Sequence, residues 1–332
     1  MNFLSELIEH DNIKILGIVT IVLSYILDAL GKSNYFYIAT SIIIIILIYT
    51  VYDIKKMKKS FENNTIAIPI VINVASNESI NYALIHLFKE VEKNSNIDNL
   101  QKNLKKYYNI TNSDLTFHYN NDLYNQECLI SFAQIIRYQI SKIKESLPNN
   151  VHFHLAYYNK PSVGFVVGQL FLEEELTLYQ QNQTKEGFKK IATINTRKYK
   201  TEVNDYSKFT IIEKISDINH DTVLLSIRAS GHKISFNSAS LSKYKNIIKM
   251  DANHSGEIFL DEDWIIYAQE IFTQLNKLQT QFKHIVIAHS MPESIAVIVG
   301  KAINNYWNIQ ITQYEKGEYR PLIRLDKFSY YF

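Results

Sequence analysis

The stretch 284–315, HIVIAHSMPESIAVIVGKAINNYWNIQITQYE, can fold in few ways. Residues 284–288 are a short apolar, β-branched run, and Ser290-Met291-Pro292-Glu293 cannot extend it but supplies helix-start residues. From 294 to 303 the apolar residues recur too densely for a solvent-exposed helix, and 309–314 alternates apolar with polar as a strand does. The pattern predicts a βαβ unit with a right-handed crossover, whose loops at the strand C-termini are the ligand-binding edge.

The same pattern occurs at 151–180, VHFHLAYYNKPSVGFVVGQLFLEEELTLYQ. A slide of 132 residues places Ala156 on Ala288, Ser162 on Ser294, Val163 on Ile295, Val167 on Val299 and Gly168 on Gly300, with Pro161 and Pro292 one residue out of register. A spacing close to the size of a small domain predicts a duplicated α/β module. A mid-helix glycine is costly unless a backbone must come close, so Gly168 and Gly300 are expected to mark tight packing of helix against sheet.

The Ile285–Ala288 strand, the packed Ala296–Gly300 helix and the strand closing in Tyr314-Glu315 resemble the C-terminal part of the SAVED domain. The likeness is strongest over 285–315, weaker over 151–180 and topological elsewhere. It implies a cyclic-oligonucleotide sensor made of two fused CARF-like, Rossmann-like α/β halves.

Two apolar stretches precede this region. Residues 13–30 carry charge only at Lys14 and Asp28, and 35–52 carry none and include five consecutive isoleucines. As a helix each is roughly 27 Å long, enough for a bilayer core. A cleaved signal peptide has no second span, and core helices are rarely apolar all round at this length, so the expectation is a transmembrane hairpin turning at Gly31-Lys32-Ser33-Asn34. Lys55, Lys56, Lys58 and Lys59 follow directly, which places the remainder of the chain and both termini in the cytoplasm. Asp28 is read as an interfacial anchor, with a pore-lining role on assembly as the alternative.

The expected organisation is therefore a hairpin with a basic linker over 1–59, a first half over 60–183, and a connector and second half over 184–332. The first half should hold a buried strand at 65–74, a helix at 79–93, a short surface helix within 94–111, a strand at 115–119 and a helix at 123–147. The connector 181–220 reads as a solvated basic stretch, 222–230 as a strand, 261–281 as a helix, and 234–256 as a mobile loop over a pocket.

A formal net charge of +2 argues against a polybasic DNA- or RNA-polymer binder, and one cysteine, Cys128, excludes an internal disulfide. His289-Ser290 follows a strand but lacks the glycines of a nucleophile elbow, and there is no HExxH, GxGxxG or Walker loop. No catalytic residue, cofactor or metal is expected. The strand ends do offer polar and aromatic groups suited to a nucleotide: Ser76, Asn77, Tyr157, Tyr158 and Lys160 in one half, and Arg228, Ser230, His232, His289, Ser290, Glu293, Tyr314 and Lys316 in the other.

Two membrane helices before a SAVED-like sensor resemble the transmembrane SAVED effectors of CBASS, the bacterial anti-phage signalling systems. The resemblance implies that a synthase makes a cyclic di- or trinucleotide, that the effector binds it and forms a homo-oligomer, and that its hairpins disrupt the lipid bilayer of the inner membrane, causing abortive infection. The alternatives are a membrane-tethered, CRISPR-linked sensor of cyclic oligoadenylate that regulates a partner protein, and a membrane-anchored hydrolase using His289 and Ser290.

Overall fold

All nine residues of β1 (Ile66–Val74) are buried in the computed structural model, which describes residues 41, 43–53, 55–56, 65–74, 79–147, 150–181, 187–194, 197–217, 220–254 and 256–328. A strand that is apolar on both faces needs cover on both, and β1 lies inside a five-stranded sheet. Its order is β2 (Thr116–Tyr119), β1, β3 (Val151–Tyr158), β4 (Glu175–Gln181) and β5 (Phe188–Ile194). The first four strands run parallel and β5 closes the edge antiparallel to β4. Helix α1 (Ile80–Ser95) packs on this sheet, followed by α2 (Leu100–Tyr108) and the short α3 (Asn112–Leu115). Helix α4 (Gln126–Ser146) starts where the Asn125 side chain accepts from the Cys128 N–H at 3.1 Å. Helix α5 (Pro161–Leu170) is the crossover from β3 to β4.

The second half repeats the plan around β7 (Thr222–Arg228). Its six-stranded sheet runs β11 (Glu318–Arg324), β10 (Ile309–Glu315), β9 (His284–Ser290), β7, β8 (Asn246–Ala252) and β6 (Phe209–Ile215). The four central strands are parallel and both edges antiparallel. The short α6 (Ala239–Ser242) lies between β7 and β8, α7 (Trp264–Gln281) starts at its Asp263 cap, and α8 (Glu293–Ala302) crosses from β9 to β10. The short α9 (Leu325–Phe328) follows β11.

Helices α5 and α8 are buried along almost their whole length because they pack on each other between the halves. A Cβ on Gly168 would lie 2.2 Å from the Val297 carbonyl oxygen, and one on Gly300 2.2 Å from that of Phe165. The close approach expected of these glycines is thus helix against helix, not helix against sheet. The contacts are reciprocal under the 132-residue slide, the mark of a local twofold axis. Gln169 Nε2 donates to the Ile303 carbonyl at 2.9 Å, and its counterpart Lys301 donates Nζ to the Phe171 carbonyl.

Three stretches differ from expectation. The connector is not simply solvated: it contains β5 and β6, so the first sheet runs on past residue 183 to Ile194. Buried Glu270 also accepts backbone N–H bonds from Ser207, Lys208 and Phe209 at 2.7–3.1 Å, which ties the connector to α7. The stretch 234–256 contains α6 and β8, whose alternating burial at Asn246, Ile248 and Met250 is that of a strand. Within 94–111 the expected short helix is present as α2, but it is amphipathic and buries Leu100, Leu104, Tyr107 and Tyr108 rather than lying on the surface.

The hairpin falls mostly outside the described residues, as do helix 13–30 and Asp28. Residues 43–53 are helical, and among the described residues no helix is long and apolar enough to cross a membrane.

Candidate functional site

In the second sheet the chain leaves β7 towards β8 on one side and returns at β9 on the other, so β7 and β9 flank a topological switch point. At their C-terminal ends the Ala229 N–H donates to the Ser290 carbonyl at 2.8 Å, and the hydroxyls of Ser230 and Ser290 meet. A cleft of about 560 Å³ opens there. Ser230, His232, His289, Ser290, Glu293 and Tyr314 line it, as the sequence suggests.

Pro161, Ser162, Gln180 and Gln181 reach the same cleft from the first half, across the local axis. Ser162 Oγ lies 3.0 Å from His289 Nε2 and donates to the Thr312 carbonyl at 2.9 Å. Gln180 accepts from the Ser294 hydroxyl at 2.8 Å and lies 3.4 Å from a Glu293 carboxylate oxygen. Tyr314, 53% exposed, supplies an aromatic wall with the buried Trp264 and Tyr319 behind it, and the segment 257–260 closes one side with Glu257, Ile258 and Leu260.

Burial pushes the His289 imidazole down to about 4, so the ring is neutral at pH 7. Burial also pushes the Glu293 carboxyl up from the ordinary carboxylate range. The His289 side of the cleft is therefore uncharged and rich in hydrogen-bonding groups, while Lys233 and Glu257 are exposed at its rim. That arrangement offers partners to a polar, uncharged edge inside and the Lys233 ammonium to an anionic group outside.

The remaining expected residues do not gather here. Ser76 and Asn77 lie outside the described residues. Tyr157 and Tyr158 are only 2% and 4% exposed, so neither has a ring face to offer a base, and the Tyr157 hydroxyl donates to the Lys160 carbonyl at 2.6 Å. Lys160 stands outside the cleft at the start of α5 with φ 45°. Arg228 pairs with Asp251 at 3.0 Å, its neighbour in the β7–β8 register, and is not among the residues that line the cleft. Lys316 and Gly317, with φ of 50° and 88°, form the tight turn from β10 to β11, so a turn requirement accounts for Lys316. His289 and Ser290 do not form a nucleophile–base pair: the imidazole Nε2 meets Ser162, and the Ser290 hydroxyl meets Ser230.

The duplication sets different residues at corresponding strand ends of the two halves. Tyr157 occupies the place of His289, and Tyr158 and Asn159 those of Ser290 and Met291. The two tyrosines are larger than their counterparts and are buried, and Asn159 Nδ2 donates to Asn73 Oδ1 at 2.9 Å.

No protein-family model and no curated protein matches the chain. Among solved structures, the Acinetobacter baumannii Cap4 SAVED/CARF-domain containing receptor with the cyclic trinucleotide 3'3'3'-cAAA is similar with a TM-score of 0.48 at 12% identity, over 84% of this chain and 56% of that one. The same receptor with 2'3'3'-cAAA gives 0.45 at 10% identity, over 84% and 56%. The Moraxella osloensis Cap4 SAVED/CARF-domain containing receptor gives 0.44 at 11%, over 82% and 54%. The chain thus spans little more than half the length of these receptors.

Proposed function

We propose that this chain senses a cyclic di- or trinucleotide in the cleft at the β7–β9 switch point, and that it acts by binding and assembly rather than by catalysis. The observation that carries the reading is the composition of that cleft. Two duplicated halves converge on about 560 Å³ at strand C-termini, with hydrogen-bonding groups inside, the exposed Tyr314 ring and a lysine at the rim. A base face stacks on such a ring, and phosphates take charge-assisted bonds from a lysine and partial charge from the start of α8. The SAVED-like pattern of 285–315 supports the same ligand class.

The proposal extends to the membrane. The helical residues 43–53 expose Ile45, Ile48 and Tyr49 at 63–65%, apolar groups turned away from the protein. With 13–30 they make the hairpin that inserts in the bacterial inner membrane. Ligand draws the sensors into a homo-oligomer, and the gathered hairpins breach the bilayer in an anti-phage CBASS response supplied by a cyclic-nucleotide synthase.

Calorimetric titration of the full chain in lipid nanodiscs with a panel of cyclic oligonucleotides tests the sensor. One or more members should bind, and Lys233→Ala should weaken binding roughly tenfold or more while the surface variant Lys283→Ala leaves it unchanged. Equal losses from both would mean diffuse attraction rather than a site.

A further inference from the structure

Two buried acceptors at the cleft have no hydrogen-bond partner among the described residues, and the surrounding network fixes which atoms they are. The Ser162 hydroxyl has one proton, and it goes to the Thr312 carbonyl. Its contact with His289 must therefore run the other way, with the imidazole Nε2–H donating to the serine oxygen. A neutral ring protonated at Nε2 carries a bare lone pair at Nδ1, and that atom is buried without a partner. Gln313 repeats the situation. Its amide nitrogen donates to the Tyr314 carbonyl at 2.8 Å, and its Oε1 is buried without a partner. Flipping the amide would set oxygen against oxygen, so the assignment stands on the network.

The two acceptors sit on neighbouring strands. Both residues line the cleft, His289 near the C-terminal end of β9 and Gln313 on β10, two residues beyond the last β9–β10 pair, Ile311↔Ile287. Adjacent strands are about 4.8 Å apart. An amino group that donates along both of its N–H bonds at about 2.9 Å spans acceptors about 5 Å apart. A hydroxyl or a carbonyl oxygen cannot supply both bonds.

We propose that His289 and Gln313 form an acceptor pair that reads the exocyclic amino group of a ligand base, a selection that rests on the cyclic-oligonucleotide reading of this cleft. The cleft accepts an amino-bearing base such as adenine or cytosine and rejects the oxo counterpart, hypoxanthine or uracil. The oxo base sets a carbonyl oxygen against two acceptors and leaves both unfilled. Sites built around a buried polar group discriminate strongly against analogues that lack its partner.

The test titrates the full chain in nanodiscs with cyclic di- and trinucleotides of identical linkage carrying adenine, hypoxanthine, cytosine or uracil. The expected result is that an amino member binds roughly 100-fold or more tighter than its oxo counterpart. In His289→Phe and Gln313→Met the ratio should shrink by about tenfold or more, the ratio being a property of each variant's own binding. An oxo member that binds wild type as tightly as its amino counterpart overturns the acceptor pair and leaves the sensor reading intact. Failure of all members to bind overturns both.

Discussion

His289 exchanges water for the Phe165 ring and the Ser162 hydroxyl, which links the stability of the fold to pH. Its folded-state pKa of about 4 lies below the ordinary 6.5, so between those values the unfolded chain binds a proton that the folded chain refuses. Stability must fall as the pH drops through that window. His154, lowered by burial to about 3, has the same sign. Glu293, raised by burial, has the opposite sign, since the fold keeps a proton that the unfolded chain releases above 4.5. His152, lowered by burial, and Glu262, lowered by its bond from Lys208, add to the sign of the two histidines, so denaturant midpoints should decrease from pH 6.5 to pH 4, and His289→Phe should flatten the slope. A wild-type midpoint constant over that range would refute this account of the buried ring. At the alkaline end Lys301 is held by burial at about 8, so its contribution to stability rises between pH 8 and 10.5 as the unfolded chain alone stays charged.

At the level of elements, the crossing of α5 and α8 is where the fold tolerates least change. Carbonyl oxygens of the facing helix occupy the space a methyl group would need, and a backbone cannot yield as the end of a side chain can. Gly300→Ala or Gly168→Ala should therefore cost about 1–3 kcal/mol or more in chemical denaturation. A midpoint within error of wild type would show that the helices can separate cheaply. These helices were legible in the sequence because an all-round apolar run with a central glycine occurs twice at one spacing. Strands β5, β6 and β8 were not, because FKKIATI, FTIIEKI and NIIKMDA place lysines and glutamate among their apolar residues, as strands near a sheet edge do. Missing β8 also hid Asp251, the partner that occupies Arg228. The candidate site was legible where residues end their own strands, as with Ser230, His289 and Ser290. Ser162, Gln180 and Gln313 gave no signal, since their place depends on how one half packs on the other.

For the whole molecule, the link between the two sheets and the proposed hairpin is narrow. Asp53, at the end of the helical segment, lies 3.4 Å from Lys106 and 3.5 Å from the Tyr107 hydroxyl, both on α2. A partly exposed ion pair of this kind contributes at most about 1 kcal/mol, so it matters for orientation more than for stability. With the full chain in liposomes, the proposed mechanism predicts dye release only after a bound cyclic oligonucleotide, together with growth of the particle in ultracentrifugation of the detergent-solubilised protein. Lys106→Ala should reduce release while leaving ligand affinity unchanged. Tight binding at constant particle size would exclude assembly and favour a regulator that hands its signal to another protein. The local twofold axis also matters for how such a receptor can change. In a dimer of identical subunits every substitution occurs twice, so a tyrosine that plugs one site would plug both, and a histidine that opens one would open both. Because a single polypeptide carries both halves, Tyr157 can stay buried while His289 takes the reading role proposed for it, and the proposed ligand preference of one side can drift without loosening the other.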